Sequence, residues 1–198
     1  MIEFINISKE LPYKIFKNKY DDALNANQSI IEAICISSYS STNKEVNARF
    51  VNLKFINEKD FIFFSNYDSP KSKDFKSHDQ ITAIFYWSST NVQIRMKAMI
   101  KQTSREFNLR YFSERDEKKN ALAISSNQSK SVSSYDEVNK NYNKSLNEDN
   151  LKDCPEYWGG FSFEPYYFEF WEGHELRLNK REVFELKNND WDHYILQP

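Results

Sequence analysis

The spacing of hydrophobic residues predicts one amphipathic helix near the start of the chain, followed by a series of short strands. Leu11, Ile15, Phe16 and Ala23 recur at helical intervals, so we expect a helix over residues 10–25. Apolar runs separated by polar turns then predict strands at residues 29–37, 46–56, 61–65, 81–87 and 92–103.

Helices are predicted between the strands and in the middle third of the chain. Ser69 followed by Pro70 is typical of an N-cap and first helical residue, which predicts a short helix over residues 69–77. Residues 105–114 and 118–125 also show helical patterns, and Ser134 with Glu137 forms a capping box for a helix to about residue 145. We expect the polar residues 141–152 to form a loop or a frayed helix end.

The last third returns to strands, at residues 158–163, 166–172, 182–186 and 191–196. Strands stand before and after a helical insert, with no regular alternation of strand and helix. This order favours a mainly β, α+β fold: an antiparallel β-barrel with peripheral helices, in one domain over residues 1–198.

Composition narrows the class of protein. Hydrophobic residues make up 39% and charged residues 28% of 198 residues, which is typical of a globular chain. The net charge of -2 provides no global basic field, so we expect no nucleic-acid partner. The apolar runs are far shorter than the ~20 residues of a transmembrane helix. With no secretory signal and only two cysteines, the sequence predicts a cytoplasmic protein without a disulfide framework.

Motifs for metal and dinucleotide binding are missing. His78, His174 and His193 are scattered and form no pair at ligand spacing, so we expect no metal site and place His174 in a surface turn. The sequence contains neither a P-loop nor a G-x-G-x-x-G pattern, which excludes a Rossmann-type nucleotide site.

Two groups of cations could bind an anion. Arg49 and Lys54 lie an odd number of residues apart on one predicted strand, so they face opposite sides unless a bulge intervenes. Tyr111, Arg115 and Lys119 follow at four-residue intervals and would form one stripe suited to a phosphate if the helix continued. From spacing alone, solvated surface charges explain the first group as well as an anion site does. They are the simpler explanation of the second group.

The C-terminal third carries the most distinctive blocks. These are Trp158-Gly159-Gly160-Phe161, then Phe168-Glu169-Phe170-Trp171, and then Arg177-Leu178-Asn179 before Lys180-Arg181. Arg177 and Asn179 are predicted to alternate onto one face of an extended segment. Trp171 either covers an aromatic ring or belongs to the core, the commoner position for a strand tryptophan.

These blocks, with the closing Leu196-Gln197-Pro198, resemble the pyridoxamine 5'-phosphate oxidases, homodimeric split-barrel enzymes that bind flavin mononucleotide (FMN). The resemblance extends over residues 12–198, with a family-specific dimerisation region at about residues 155–198. It implies an oxidase that converts pyridoxamine or pyridoxine 5'-phosphate to pyridoxal 5'-phosphate. Molecular oxygen would be the electron acceptor, and hydrogen peroxide would be released.

The resemblance also implies a set of site residues. Those that match FMN-binding positions are Arg49, Phe50, Val51, Asn52, Leu53, Lys54, Phe64, Ser65, Lys71, Gln93, Gln128, Ser129, Trp171 and Arg181. Trp171 and Arg181 would reach the flavin across the dimer. Those that match substrate-binding positions are Lys54, Tyr111, Arg115, Lys119, Arg177 and Asn179. Arg177 and Asn179 would form the catalytic pair, with Arg177 over the substrate ring.

Three departures from the family pattern leave the substrate open. Pro70 replaces an arginine on FMN, Lys119 replaces a serine on the substrate phosphate, and Asn179 replaces a histidine near the reacting carbon. We also find no match to the basic lid segment before the first helix. The alternatives are a related flavoenzyme for another ring compound, such as a dihydrophenazine-type intermediate, or a non-catalytic protein that binds flavin or pyridoxal phosphate.

Overall fold

The computed structural model describes residues 1–198 and is built on one nine-stranded sheet with five helices around it. The strands are β1 Glu3–Ile5, β2 Ala33–Ser40, β3 Glu45–Asn57, β4 Asp60–Asn66, β5 Gln80–Trp87, β6 Val92–Gln102, β7 Trp158–Glu172, β8 Lys180–Lys187 and β9 Asp190–Leu196. The helices are α1 Leu11–Asn25, α2 Pro70–Ser77, α3 Arg105–Glu114, α4 Glu117–Ser125 and α5 Tyr135–Glu148.

Six strands close into a ring. The sheet order is β1-β3-β2-β5-β6-β7-β8-β9, and β4 pairs with both β3 and β7, which completes the circuit. Every pairing is antiparallel except that of β1 with β3. Closure leaves no free edge within this ring, and the edges of the sheet are β1 and β9. The predicted α+β class and antiparallel barrel with peripheral helices are therefore confirmed.

Aromatic side chains fill the barrel. Phe61 stacks on Phe163 with ring centroids 5.3 Å apart, and Phe63 stacks on Phe161 at 5.6 Å. Helix α1 covers one opening with Phe16, whose ring meets Phe61 edge-on at 5.1 Å. Because burial of such rings dominates core energetics, the high aromatic content of the sequence is used mainly for packing.

Several element boundaries differ from the sequence prediction. The strand expected at residues 29–37 begins only at Ala33, because Ile30 turns the chain with φ 48° and leaves its side chain exposed. The two strands expected between residues 158 and 172 are the single strand β7, whose ladder shifts register opposite Lys97 and Ala98. Helix α5 continues to Glu148 through most of the expected loop, and the three-residue β1 was not predicted.

The predicted helix starts are confirmed at two places. Ser69 is the N-cap of α2 and Pro70 is its first residue. At α5, the hydroxyl of Ser134 accepts a hydrogen bond from the backbone N–H of Glu137, which is one half of the predicted capping box; the Glu137 carboxylate accepts from the Ser133 hydroxyl. None of the five helices is both long and apolar enough to cross a membrane.

Candidate functional site

A cavity of about 480 Å³ opens between strands β3 and β4, helices α2 and α3, and the loop after α4. Its lining residues are Arg49, Phe50, Val51, Asn52, Lys54, Phe64, Ser65, Pro70, Lys71, Tyr111, Arg115, Gln128 and Ser129. All of these except Pro70 were predicted to bind cofactor or substrate. The fold thus gathers residues from distant parts of the sequence around one space.

The two cations of β3 line the same cavity, and a bulge in the strand lies at the second of them. The ladder between β3 and β4 shifts register between Leu53 and Phe55, so Lys54 is the extra residue. A bulge interrupts strand alternation and redirects side chains. Both faces of β3 already contribute to the cavity before the bulge, since Arg49, Phe50, Val51 and Asn52 all line it. Lys54 lines it as well, whereas the Leu53 side chain is fully buried in the core.

Three donors converge on one oxygen at the α2 side of the cavity. The Gln128 side-chain oxygen accepts hydrogen bonds from Lys71 Nζ at 3.2 Å, Ser65 Oγ at 3.1 Å and the Asn66 backbone N–H at 3.3 Å. Burial, reinforced by the charge of Arg49, lowers the pKa of Lys71 to about 8. Convergent donors beside a buried cation are well suited to hold an anionic oxygen.

Arg49 is held in place by buried partners. Its Nη1 donates to Ser38 Oγ at 2.8 Å, and its Nη2 lies 3.8 Å from the Asp74 carboxylate. Ser38 Oγ in turn donates to Asp74 at 2.8 Å. Since Asp74 lies on α2, this network ties the helix to strands β2 and β3 and fixes the direction of the Arg49 side chain.

A second group of cations lies around Tyr111 and Arg115. Tyr111 stacks on Phe64, with ring centroids 4.0 Å apart. The Arg115 guanidinium lies 5.1 Å from the centroid of the Trp158 ring and donates to Asn120 Oδ1 at 3.0 Å. Burial lowers the pKa of Lys54; the nearby Glu32 opposes the shift, and the positive charges of Lys119 and Arg115 add to it.

Tyr111, Arg115 and Lys119 do not form one helical stripe, because the helix on which that stripe depended does not continue; the two separate helices predicted over residues 105–114 and 118–125 are confirmed. Helix α3 ends at Glu114, Arg115 has extended backbone angles, and Asp116 caps α4 by accepting from the Lys119 N–H at 3.2 Å. Lys119 lies instead at an adjoining cavity of about 230 Å³, which it shares with Arg115. Asp116, just after Arg115, is a typical N-cap residue and explains why the second helix begins there.

The Trp-Gly-Gly-Phe block fixes α3 against the start of β7. Asn108 on α3 accepts from the Gly160 N–H at 2.9 Å and donates to the Tyr67 hydroxyl at 3.0 Å. The Tyr67 hydroxyl donates to the Gly160 carbonyl at 3.0 Å. A Cβ at Gly159 would lie only 2.1 Å from the Tyr67 oxygen, so glycine leaves room for this network. The block therefore positions Tyr111 and Arg115 indirectly.

Three predicted flavin contacts lie elsewhere, in one row across the sheet. Gln93 on β6 pairs with Trp171 on β7, and Trp171 pairs with Arg181 on β8. We call these three residues the cross-strand row. None of them lines the cavity of the same chain, and Trp171 is half-buried outside the core.

Arg177 and Asn179 do not alternate along a strand as predicted. They lie in the turn between β7 and β8, where Arg177 has φ 59°. The Asn179 side-chain oxygen accepts from the His174 N–H at 3.0 Å, and the Arg177 N–H donates to the His174 carbonyl at 2.9 Å. Asn179 therefore closes the turn that carries Arg177, and neither residue lines the cavity. His174 is exposed here, as expected.

Sequence reasoning missed the residues that hold the cations. Ser38 and Asp74 hold Arg49, and Asn120, which is 1% exposed, holds Arg115. Ser38 and Asp74 are separated by 36 residues, so no local spacing could indicate that contact. Asn120 lies in a short amphipathic helix. The only available signal was a polar amide at a position that the helix buries, because a buried amide needs hydrogen-bond partners.

Fold and cavity together define a split-barrel protein with a cavity lined by several cationic side chains. Two solved structures share this fold. PhzG from Burkholderia lata, in complex with tetrahydrophenazine-1-carboxylic acid, superposes with a TM-score of 0.86 at 22% identity over 94% of this chain and 92% of that one. A pyridoxamine 5'-phosphate oxidase-related, FMN-binding protein from Nostoc punctiforme superposes with a TM-score of 0.77 at 12% identity, over 92% of this chain and 97% of that one.

Sequence relatives define the family. Residues 158–198 match the model of the pyridoxine 5'-phosphate oxidase C-terminal dimerisation region. The pyridoxine/pyridoxamine 5'-phosphate oxidase 1 of Hydrogenovibrio crunogenus is 33% identical over 94% of this chain and 88% of its own length. The pyridoxine/pyridoxamine 5'-phosphate oxidase of Colwellia psychrerythraea is 30% identical over 96% of this chain and 88% of its own length. The chain therefore belongs to the pyridoxine/pyridoxamine 5'-phosphate oxidase family, in agreement with the resemblance seen in the sequence.

Proposed function

We propose that this protein is an FMN-dependent oxidase that converts pyridoxamine or pyridoxine 5'-phosphate to pyridoxal 5'-phosphate. The observation that carries the proposal is the presence of two separate cation groups in one cavity: Arg49 with Lys71, and Lys54 with Arg115. Arg49 and Lys54 are five residues apart, roughly 15 Å along an extended strand. One group suits the phosphate of a cofactor, and the other suits the phosphate of a substrate.

The first group fits the phosphate of FMN. Lys71 is buried, pairs with no carboxylate, and lies beside the convergent donors around Gln128. Arg49 adds a second charge, and Ser129 lines the same cavity. These donors fit one phosphate group even though Pro70 replaces the arginine of the family pattern. Bound there, FMN would supply the redox chemistry of the reaction, as the acceptor of a hydride equivalent from the substrate that O2 then reoxidises to give hydrogen peroxide.

The second group binds and orients the substrate. Tyr111, Arg115 and Lys54 supply a phenol and two cations at the β3 and α3 side of the cavity. Arg115 is held by Asn120 and the Trp158 ring, so little side-chain freedom is lost when it binds a phosphate. The protein's role in this reaction is to fix the substrate's position, because the redox chemistry belongs to the cofactor.

The site is complete only in a homodimer. Gln93, Trp171 and Arg181 were predicted to bind flavin, yet the cross-strand row lies outside the cavity of its own chain. Residues 158–198 match a dimerisation region, and they include Trp171 and Arg181. We infer that the row of one subunit closes the cavity of its partner, and that Arg177 reaches the substrate ring from the same side.

Turnover under air tests the proposal. Purified protein loaded with FMN is incubated with pyridoxamine 5'-phosphate, and both hydrogen peroxide and the absorbing aldehyde product are measured. We expect both products, and a much lower specificity constant for unphosphorylated pyridoxamine. Bound flavin without turnover would overturn the catalytic proposal. Equal rates with and without the substrate phosphate would overturn the assignment of the second cation group.

The adjoining cavity favours a second candidate function. Its walls include the apolar side chains of Phe64, Leu122 and Trp158, with Arg115 and Lys119 as cations. A larger ring compound that carries an acidic group, such as a dihydrophenazine carboxylate, would use both cavities. Competition against pyridoxamine 5'-phosphate by a phenazine carboxylate, lost in Lys119→Ser, would support this candidate. Inhibition that does not depend on Lys119 would count against it.

A further inference from the structure

Glu169 is a buried carboxylate that no prediction assigned to the site. It lies three residues before the end of β7 and two residues before Trp171, and it is 2% exposed. A buried charge is costly unless it is paired and hydrogen-bonded, so its partners explain why it is tolerated. Those partners come from the two neighbouring strands and from β7 itself.

The two oxygens of Glu169 have different partners. Oε1 accepts from Arg181 Nε at 2.8 Å. Oε2 accepts from Arg95 Nε at 3.1 Å and from the Tyr167 hydroxyl at 3.0 Å, and it also pairs with Arg95 Nη2. Burial acts to raise the pKa of Glu169, but hydrogen bonds from Arg181, Arg95 and Tyr167 outweigh it and hold the pKa below its ordinary value. The carboxylate is therefore ionised at neutral pH.

These contacts restrain Arg181 without using all of its donors. Its Nε is held by Glu169, and its Nη1 donates to the Gln197 carbonyl at 3.0 Å. The remaining nitrogen, Nη2, has no partner within the chain. The guanidinium is thus fixed at two nitrogens and presents the third beside Trp171, at the end of the cross-strand row. Two arginines around one carboxylate also leave a net positive charge there.

We propose that Glu169 is a positioning residue of the flavin site, which acts through Arg181 by fixing the direction of its free Nη2 donor. The proposal rests on the proposed function, in which Arg181 reaches FMN in the partner subunit's cavity. Arg95 has a separate part: it neutralises Glu169 from the opposite side and stabilises the buried charge. The ligand feature that this arrangement suits is the edge of a planar heterocycle that carries hydrogen-bond acceptors.

Equilibrium FMN binding, followed by quenching of FMN fluorescence, tests the proposal without reliance on turnover. The proteins compared are the wild type, Glu169→Gln, Arg181→Gln and the double variant. We expect Glu169→Gln to weaken FMN binding by about tenfold, because a hydrogen bond to a charged group is replaced by a neutral one. In the Arg181→Gln background the same change should have almost no effect, because the residue through which Glu169 acts is gone.

Two matched controls separate positioning from stability. Arg95→Met should lower the melting temperature. It should leave FMN affinity within about threefold of the wild-type value, because the hydrogen bond between Glu169 and Arg181 remains. Glu182→Gln, on the neighbouring strand, removes a carboxylate that pairs with Lys180 and His193 and should leave FMN affinity unchanged. If Glu169→Gln fails to fold, Glu169→Asp takes its place. Its shorter reach should weaken FMN binding by at least about threefold.

The outcomes distinguish this proposal from the proposed function. A wild type that binds no FMN overturns the proposed function. If the wild type binds FMN but the losses of FMN affinity add up in the double variant, only the role proposed for Glu169 is overturned. Unchanged affinity in Glu169→Gln, or in Glu169→Asp where that variant is used, does the same.

Discussion

The ammonium nitrogen of Lys71 lies 3.2 Å from the side-chain oxygen of Gln128, and the structure pairs it with no carboxylate. Gln128 belongs to the loop after α4, whereas Lys71 is the second residue of α2. The contact therefore joins two elements that both line the cavity. It also leaves the positive charge of Lys71 available for an anionic ligand, which a carboxylate partner would have opposed.

FMN affinity should fall as the pH rises above 8. The pKa of Lys71 is about 8 in the free protein, and a bound phosphate favours the charged amine and raises that value. Binding above pH 8 therefore takes up a proton, and the dissociation constant should increase by up to about tenfold for each pH unit. Fluorescence titrations with FMN between pH 7 and pH 10 measure this change.

Lys71→Arg is the matched control for this pH dependence. Arginine keeps its charge throughout the range, so the variant should bind FMN with an affinity that changes little between pH 7 and pH 10. A wild-type affinity that stays constant to pH 10 would show that the charge of Lys71 does not contribute to cofactor binding.

Arg115→Ala should damage recognition of the substrate phosphate. Loss of a half-buried charged partner costs at least ~2 kcal/mol, so KM for pyridoxamine 5'-phosphate should rise roughly thirtyfold or more. Flavin content should stay the same, because Arg115 belongs to the second cation group. Arg110→Ala removes an exposed arginine of α3, the helix that ends just before Arg115, and should leave KM unaltered because Arg110 lies over Phe107 and outside the cavity. Unaltered kinetics in Arg115→Ala would argue against this phosphate site.

Asn179→Ala should lower turnover more than cofactor binding. The substitution removes the acceptor for the His174 N–H and loosens the turn that carries Arg177. A hydrogen bond contributes about 1 kcal/mol, which corresponds to a decrease in kcat of roughly fivefold. Asn179→Asp retains the acceptor oxygen and should stay close to wild type. Equal kcat in the alanine and aspartate variants would mean that the turn does not depend on this contact.

Gly159→Ala should destabilise the protein. The new Cβ would lie 2.1 Å from the Tyr67 hydroxyl and 2.4 Å from Asn108 Nδ2, both within the network that holds α3. Overpacking of this kind costs about 1–3 kcal/mol, or roughly 2–4 °C in melting temperature for each kcal/mol. Gly173→Ala is the control. Its new Cβ would meet the side chain of Asn91, which is exposed and can move aside. Calorimetry should show the smaller loss for Gly173→Ala.

The sequence predicted the strand-rich core and all five helices because their signals are local. Ser69-Pro70 and Ser134 with Glu137 define helix starts within a few residues, and the structure agrees. The bulge after Leu53 depends on how β3 pairs with β4, so alternation along β3 alone could not locate Lys54. Likewise, the left-handed backbone at Arg177 is set by contacts with His174, and the residues around it resemble an extended segment.

The candidate site was predicted mainly from family resemblance, and the structure explains why spacing alone was insufficient. Lys71 and Gln128 lie 57 residues apart in the chain, so only the folded barrel brings them together. Trp171 and Arg181 are cross-strand partners on β7 and β8, and this pairing depends on which strands are neighbours in the sheet. Buried partners such as Asp74 and Glu169 have no local pattern that distinguishes them from surface acids.

The separation of the cross-strand row from the cavity has a consequence for mixed populations of chains. In the proposed dimer, each site combines the cavity of one subunit with the row of the other, so Lys71→Met and Arg181→Gln would disable different halves. Subunits exchanged between these two inactive proteins would form heterodimers with one intact site and one doubly defective site. Random reassociation should restore about a quarter of wild-type turnover. Two chains that each fail alone would thus complement one another, whereas two cavity variants would not.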